Sequence, residues 1–91
     1  MSTDVLSIVI RVHPSGEEFD VELPKFSSGK EITAELLNAN IAPSRDQEGN
    51  PYVYDLVHKQ SNVHLDDNKT LHDLGIRNGD TILFIPSLIA G

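Results

Sequence analysis

Cysteine is absent from the 91 residues of this chain, which excludes a disulfide staple, a thiolate nucleophile, a CxxC redox pair and a thiolate zinc site. The fold must therefore be held by packing alone. Long apolar runs are missing too: the longest is the four residues Ile82-Leu83-Phe84-Ile85, far short of the roughly 20 that a helical membrane span needs. The opening Met1-Ser2-Thr3-Asp4 lacks the basic and apolar regions of a signal peptide, so the expected compartment is the cytoplasm. Basic side chains are scarce, seven against 14 acidic ones, for a net charge of −7. That charge repels phosphate backbones and anionic lipid surfaces, so neither nucleic acid nor membrane is an expected partner. An acidic balance keeps many small cytosolic proteins soluble. Where it does more, it points to a basic protein partner.

What is present is an ordinary globular composition, 38% hydrophobic and 23% charged, in a length that makes one domain. A chain of this size can bury roughly two-thirds of its surface, enough for one core and not for two. From Leu6 the sequence alternates, with Leu6, Ile8, Ile10 and Val12 on one face, the signature of a half-buried strand. Pro14-Ser15-Gly16-Glu17 supplies turn chemistry, and Phe19, Val21 and Leu23 form the apolar face of a second strand that Pro24 ends. Ser28 and Glu31 stand at capping-box spacing, predicting a helix of about three turns whose stripe is Ile32, Leu36 and Ala39, widened by Leu37. Asn40 and Pro43 close it, and 43–51 is loop by composition.

Tyr52 to Lys59 is a third strand whose inward face is ambiguous: Tyr52, Tyr54 and Leu56 compete with Val53 and Val57, and Asp55 favours the first set. A short strand at Val63 to Leu65, a capped helical turn from Thr70 to Leu74 and a last strand at Thr81 to Ile85 complete the order. A hairpin, a crossover helix and a second strand pair make an α+β architecture, a mixed sheet with one helix on one face.

Few constellations suggest chemistry. His58 and His64 flank a predicted turn with Asp66 nearby, but two histidines and a carboxylate without further spacing are expected to be solvated rather than metal ligands. Asp66-Asp67-Asn68 lacks the ligand ladder and final Glu of a calcium loop. Ser27-Ser28-Gly29-Lys30 has a Gly-Lys pair without the rest of a phosphate loop. With no nucleophile, base and orienter in sight, the chain is expected not to be an enzyme and to need no cofactor.

The stretch from Leu65 to Gly91 resembles the C-terminal third of ubiquitin without a gap, with identities at Leu65, Asp67, Thr70, Leu71, Asp73, Ile76, Thr81, Leu88 and Gly91. The upstream elements also match the ubiquitin-like β-grasp order. The resemblance implies a β-grasp domain over 1–85 and a flexible tail over 86–91, with Pro86 marking the exit of the last strand. It further implies a protein modifier: the carboxylate of Gly91 would be adenylated by an activating enzyme and passed, through a conjugating-like enzyme, to a target protein. Leu88, Ile89 and Ala90 would be the tail that the activating enzyme reads, an arm of six residues reaching about 20 Å. Such modifiers usually end Gly-Gly, where this chain has Ala90-Gly91. Lys25, Lys30, Lys59 and Lys69 are candidate acceptors for a second copy.

A docking patch is the second implication: Ile82 and Phe84 face inward, leaving Leu83 and Ile85 outward beside His58 and Lys59 of the third strand. A rival resemblance, to the YukD-like proteins of bacterial type VII secretion, rests on Leu74, Gly75, Ile76, Gly79 and Asp80. It implies a non-conjugated interaction module, and a sulfur carrier is a third implication of the fold. Free in solution, the chain is expected to be a monomer.

Overall fold

Alternation in the first 24 residues produces a hairpin. In the computed structural model, which describes residues 4–88, β1 (Val5–Val12) pairs antiparallel with β2 (Glu18–Pro24), Ile8 opposite Val21 and Ile10 opposite Phe19. Ile8, Ile10, Val12 and Leu23 are buried, as the period-two pattern predicts. The turn between the strands closes through Val12, whose amide donates to Glu17 and whose carbonyl accepts from Gly16.

The helix α1 (Gly29–Asn38) starts at the expected capping box. The Ser28 hydroxyl accepts from the Glu31 amide at 3.2 Å, while the Glu31 carboxylate accepts from the Ser28 amide at 3.0 Å. The Ser28 amide, and after it the Ser28 hydroxyl, holds the Glu31 carboxyl below its ordinary range. At the other end Asn40 adopts φ +58°, its amide donating to Leu37 and that of Ile41 to Leu36, the paired bonds of a Schellman stop. Ile32 and Leu36 are buried, but Ala39, expected to extend the apolar stripe, is exposed. The Schellman stop ends the helical repeat at Ala39, and Ala42 enters the core in its place.

The remaining strands are β3 (Tyr52–His58), β4 (Val63–His64) and β5 (Thr81–Leu88), and the sheet order is β2-β1-β5-β3-β4. β5 lies in the middle, parallel to β1 and antiparallel to β3. This is the mixed sheet with one helix expected from the sequence. Leu56 is buried and Tyr54 half-buried on the core side, so the first of the two competing sets on β3 does face in. Tyr54 stacks on Phe84 with centroids 3.9 Å apart, and its hydroxyl donates to the Pro43 carbonyl at 2.6 Å, tying the 43–51 loop to the sheet. Burial, and to a lesser degree Tyr52, pushes its phenol above the ordinary range. Residues 71–75 form consecutive turns rather than a helix, although Thr70 and Asp73 make the anticipated reciprocal caps.

The expected boundary at 85/86 falls inside a strand. β5 continues through Pro86 to Leu88, pairing Tyr54 with Pro86, Val53 with Ser87 and Tyr52 with Leu88. Its Lys59–Thr81 bond makes the odd positions of β5 the ones that bond β3, so the even position Pro86 turns its nitrogen toward β1. β1 has already ended at Val12, opposite Phe84. The last bond between the two is the His13 amide to the Phe84 carbonyl, so the missing amide of Pro86 falls at the end of that ladder. Three of the six expected arm residues therefore belong to the sheet, while Ile89, Ala90 and Gly91 lie outside the described residues.

The start of α1 is pressed against the 65–70 loop. The Gly29 amide donates to Lys69 and the Lys30 amide to Asp67, and a Cβ built on Gly29 would lie 2.5 Å from the Asp66 carbonyl oxygen. Gly29→Ala should therefore destabilise the protein by about 1–3 kcal/mol, as overpacking against backbone does. Helix propensity alone calls for a gain of up to about 1 kcal/mol, so urea denaturation of this variant separates the two effects by sign.

Candidate functional site

The side of the sheet away from α1 carries the residues singled out as a docking patch. Strand pairing places Val57 opposite Leu83, with Arg11 of β1 on the far side of Leu83, and Asp55 opposite Ile85. Alternation along each strand adds Val9, Val53, Lys59 and Ser87 to the same face. The result is an aliphatic strip running over the central strands. Val57 forms its floor, only 5% exposed, Leu83, Ile85 and Val9 are half-buried, and Val53 stands 48% exposed at one end.

The rim is charged. Arg11 is held by Glu18 through Nη2–Oε2 at 2.6 Å and Nε–Oε2 at 2.8 Å. The outward residues of β2, Glu18, Asp20 and Glu22, form an exposed acidic border beyond it. On the opposite border Asp55 lies 4.0 Å from His64. An aliphatic floor with an acidic border offers an apolar contact and selects against acidic partners.

His58 does not belong to this patch. Because Leu56 pairs with Phe84, Val57 rather than His58 falls beside Leu83, and His58 turns inward opposite Ile82. It is buried, with Nδ1 2.7 Å from the Ser61 hydroxyl and Nε2 2.8 Å from an Asp80 carboxylate oxygen. The competition between Leu56 and Val57 for the inward face was visible in the sequence, and Val57 is the patch residue that it concealed. Lys59 remains on the outer side, exposed, with its amide bonded to the Thr81 carbonyl. Leu88 pairs with Tyr52 in β5, whereas the other tail positions, Ile89, Ala90 and Gly91, lie outside the described residues.

The histidines do not converge either. His58 pairs with Val63 and His64 with Val57, which sends the two rings to opposite faces of the sheet. Among the described residues no group of three His, Cys, Asp or Glu side chains is placed to hold a metal ion.

Asp80 ties this region together. One carboxylate oxygen accepts both from the His58 ring and from the Arg77 amide, at 3.0 Å. Burial raises its pKa, but the Arg77 amide and the His58 ring outweigh burial and leave the carboxyl below its ordinary value of 3.8. A carboxyl depressed in the folded state stabilises the protein above the unfolded value and loses that contribution as pH falls through the folded one. Asp80→Ala should cost about 1–3 kcal/mol at neutral pH by leaving the buried His58 ring nitrogen unpaired. The difference from the unsubstituted protein should shrink as the pH falls below 3.8, measured by urea denaturation across the acid range.

The fold recurs in solved structures of low sequence identity. The ubiquitin of Caldiarchaeum subterraneum is 19% identical, with 96% of this chain and 99% of that one covered at a TM-score of 0.69. The ubiquitin-like domain of an Arabidopsis thaliana protein is 17% identical, covering 97% of this chain and 83% of that one at 0.72. The ubiquitin-like domain of Plasmodium falciparum Dsk2 is 19% identical, with 91% and 99% covered at 0.70. These establish a ubiquitin-like β-grasp fold. A comparison with curated protein sequences finds no match. Among family models, the one described as "WXG100 protein secretion system (Wss), protein YukD" matches residues 7–83, from β1 into the centre of β5 and across every element between. The chain belongs to the YukD family of ubiquitin-like proteins.

Proposed function

We propose that this protein is a non-conjugated interaction module, a cytoplasmic accessory of a WXG100-type secretion system that is monomeric when free and docks through the strip over β3 and β5. The family match carries this reading, since it spans the strip's residues from Val9 to Leu83. The placement of Leu83 and Ile85 over Val57 supports it, because half-buried aliphatics on a sheet face add apolar contact without a large ordering cost. No catalytic group is required.

The modifier reading needs Gly91 to be adenylated by an activating enzyme and handed on through a conjugating enzyme, and the sulfur-carrier reading needs a thiocarboxylate at the same atom. The modifier reading draws on the resemblance to ubiquitin and its terminal glycine, and the sulfur-carrier reading on the shared fold. Both also lose part of their arm, since Pro86, Ser87 and Leu88 are paired with β3.

Two variants in the host separate these readings. Ile85→Asp should weaken association with the secretion apparatus at least tenfold, a loss of about 1.4 kcal/mol, while circular dichroism shows a retained fold. Truncation after Leu88 should leave association and secretion unchanged. A normal Ile85→Asp protein together with an inactive truncation would overturn the interaction module in favour of chemistry at Gly91.

A further inference from the structure

The two borders of the sheet are unlike. β4 covers only Val57 and His58 of β3, leaving the rest of that strand as an edge. The even residues of β3 turn their main-chain groups away from β5, because the odd position Lys59 bonds Thr81. Two of these even positions are occupied. The Tyr52 amide donates to the Ser44 carbonyl at 3.0 Å, and the Leu56 carbonyl accepts from the Leu65 amide at 2.8 Å. Between them stands Tyr54. Among the described residues its amide and carbonyl have no main-chain partner. The clamps at 52 and 56 are about 13 Å apart along the strand, which admits three or four residues of an extended chain.

A groove runs beside this opening. Its two ends, about 480 and 360 Å³, meet at Thr33, Val53, Tyr54 and Asp67. One wall is α1, through Lys30, Thr33, Ala34 and Leu37; the other is the loop at Asp66 and Asp67, with Asp55 at the mouth. Three carboxylates thus border the groove against one ammonium, Lys30. The neutral parts of the wall, Ala34, Leu37 and the Tyr54 ring, suit an apolar side chain.

We propose that this edge receives, as an added strand paired to Tyr54, a short extended segment of a partner protein carrying basic side chains. An added strand satisfies the Tyr54 amide and carbonyl together, and its alternate side chains divide between the apolar wall and the carboxylates. The charge selects the occupant. A second copy of this chain would bring Asp55, Asp66 and Asp67 against their own counterparts, whereas a basic segment meets opposite charge. The site lies on the sheet edge and meets the strip over β3 and β5 only at Val53 and Asp55, sharing none of Val57, Leu83 and Ile85.

The probes are a blocked peptide of alternating Lys and Val and its Glu-Val counterpart, with amide hydrogen exchange and backbone NMR shifts as readouts. The Lys-Val peptide should slow exchange of the Tyr54 amide roughly fivefold or more, since a hydrogen-bonded amide exchanges only on opening. Added salt should weaken the effect, because the carboxylates are exposed. The Glu-Val peptide should do nothing. The double variant D66N/D67N should lose most of the protection, while Ile85→Asp, on the other surface, should keep it. Equal protection by both peptides overturns the proposal, as does unchanged exchange at Tyr54 or a response confined to Val57, Leu83 and Ile85. Concentration-dependent protection of Tyr54 in the absence of peptide overturns it in favour of a second copy.

Discussion

The structure depends on the insertion of β5 between β1 and β3. Without it the described strands separate into two hairpin-like pairs, β1 with β2 and β3 with β4, and isolated two-stranded units are marginal in water. Ile82 and Phe84 make the seam. Neither has measurable exposure, and they lie in register with Ile10 and Val12 on one side and with His58 and Leu56 on the other. The helix then covers the face these residues share, contributing Ile32 and Leu36. Everything said of the outer strip follows from the same seam, because the register that buries Ile82 and Phe84 turns Leu83 and Ile85 to the outer face.

His58 is the exception that helps hold this register. A slip of one residue on β3 would exchange Val57 with His58 and turn every side chain of the strand to the other face. The slipped state would bury Asp55 and separate the His58 ring from Asp80 and Ser61. A buried polar group with both ring nitrogens partnered is acceptable in one alignment only. The aliphatic strip thus rests on an ion-and-hydroxyl clamp on the opposite side of the sheet.

Much of this was legible in the residues. Alternation at 6–12 and 19–23, the capping pairs Ser28–Glu31 and Thr70–Asp73, and the helix stop at Asn40 are local signals, and each corresponds to a local structure. What was not legible depends on which strand lies beside which. Pro86 looks like a terminator until β1 is seen to stop at Val12. Gly29 looks like an incidental member of a cap until the 65–70 loop is found against it. Asp55 favours Leu56 over Val57 for the inward face, which already turns Val57 outward and His58 inward, but which of them stands beside Leu83 depends on the register of β3 against β5. The candidate face was therefore half legible: Leu83 and Ile85 were, and the place of Val57 rather than His58 beside them was not.

The parallel pairing of β1 with β5 has a consequence for biosynthesis. The N-terminal hairpin can form as soon as it emerges from the ribosome, but its central neighbour is the last described strand to be translated. Until Thr81–Leu88 is free, the apolar faces of β1 and α1 lack their main cover, and the open border of β1 is available to the wrong chain. Closure of the sheet therefore waits on its last described strand. The nascent protein is most exposed to misassembly in the interval before Thr81–Leu88 emerges.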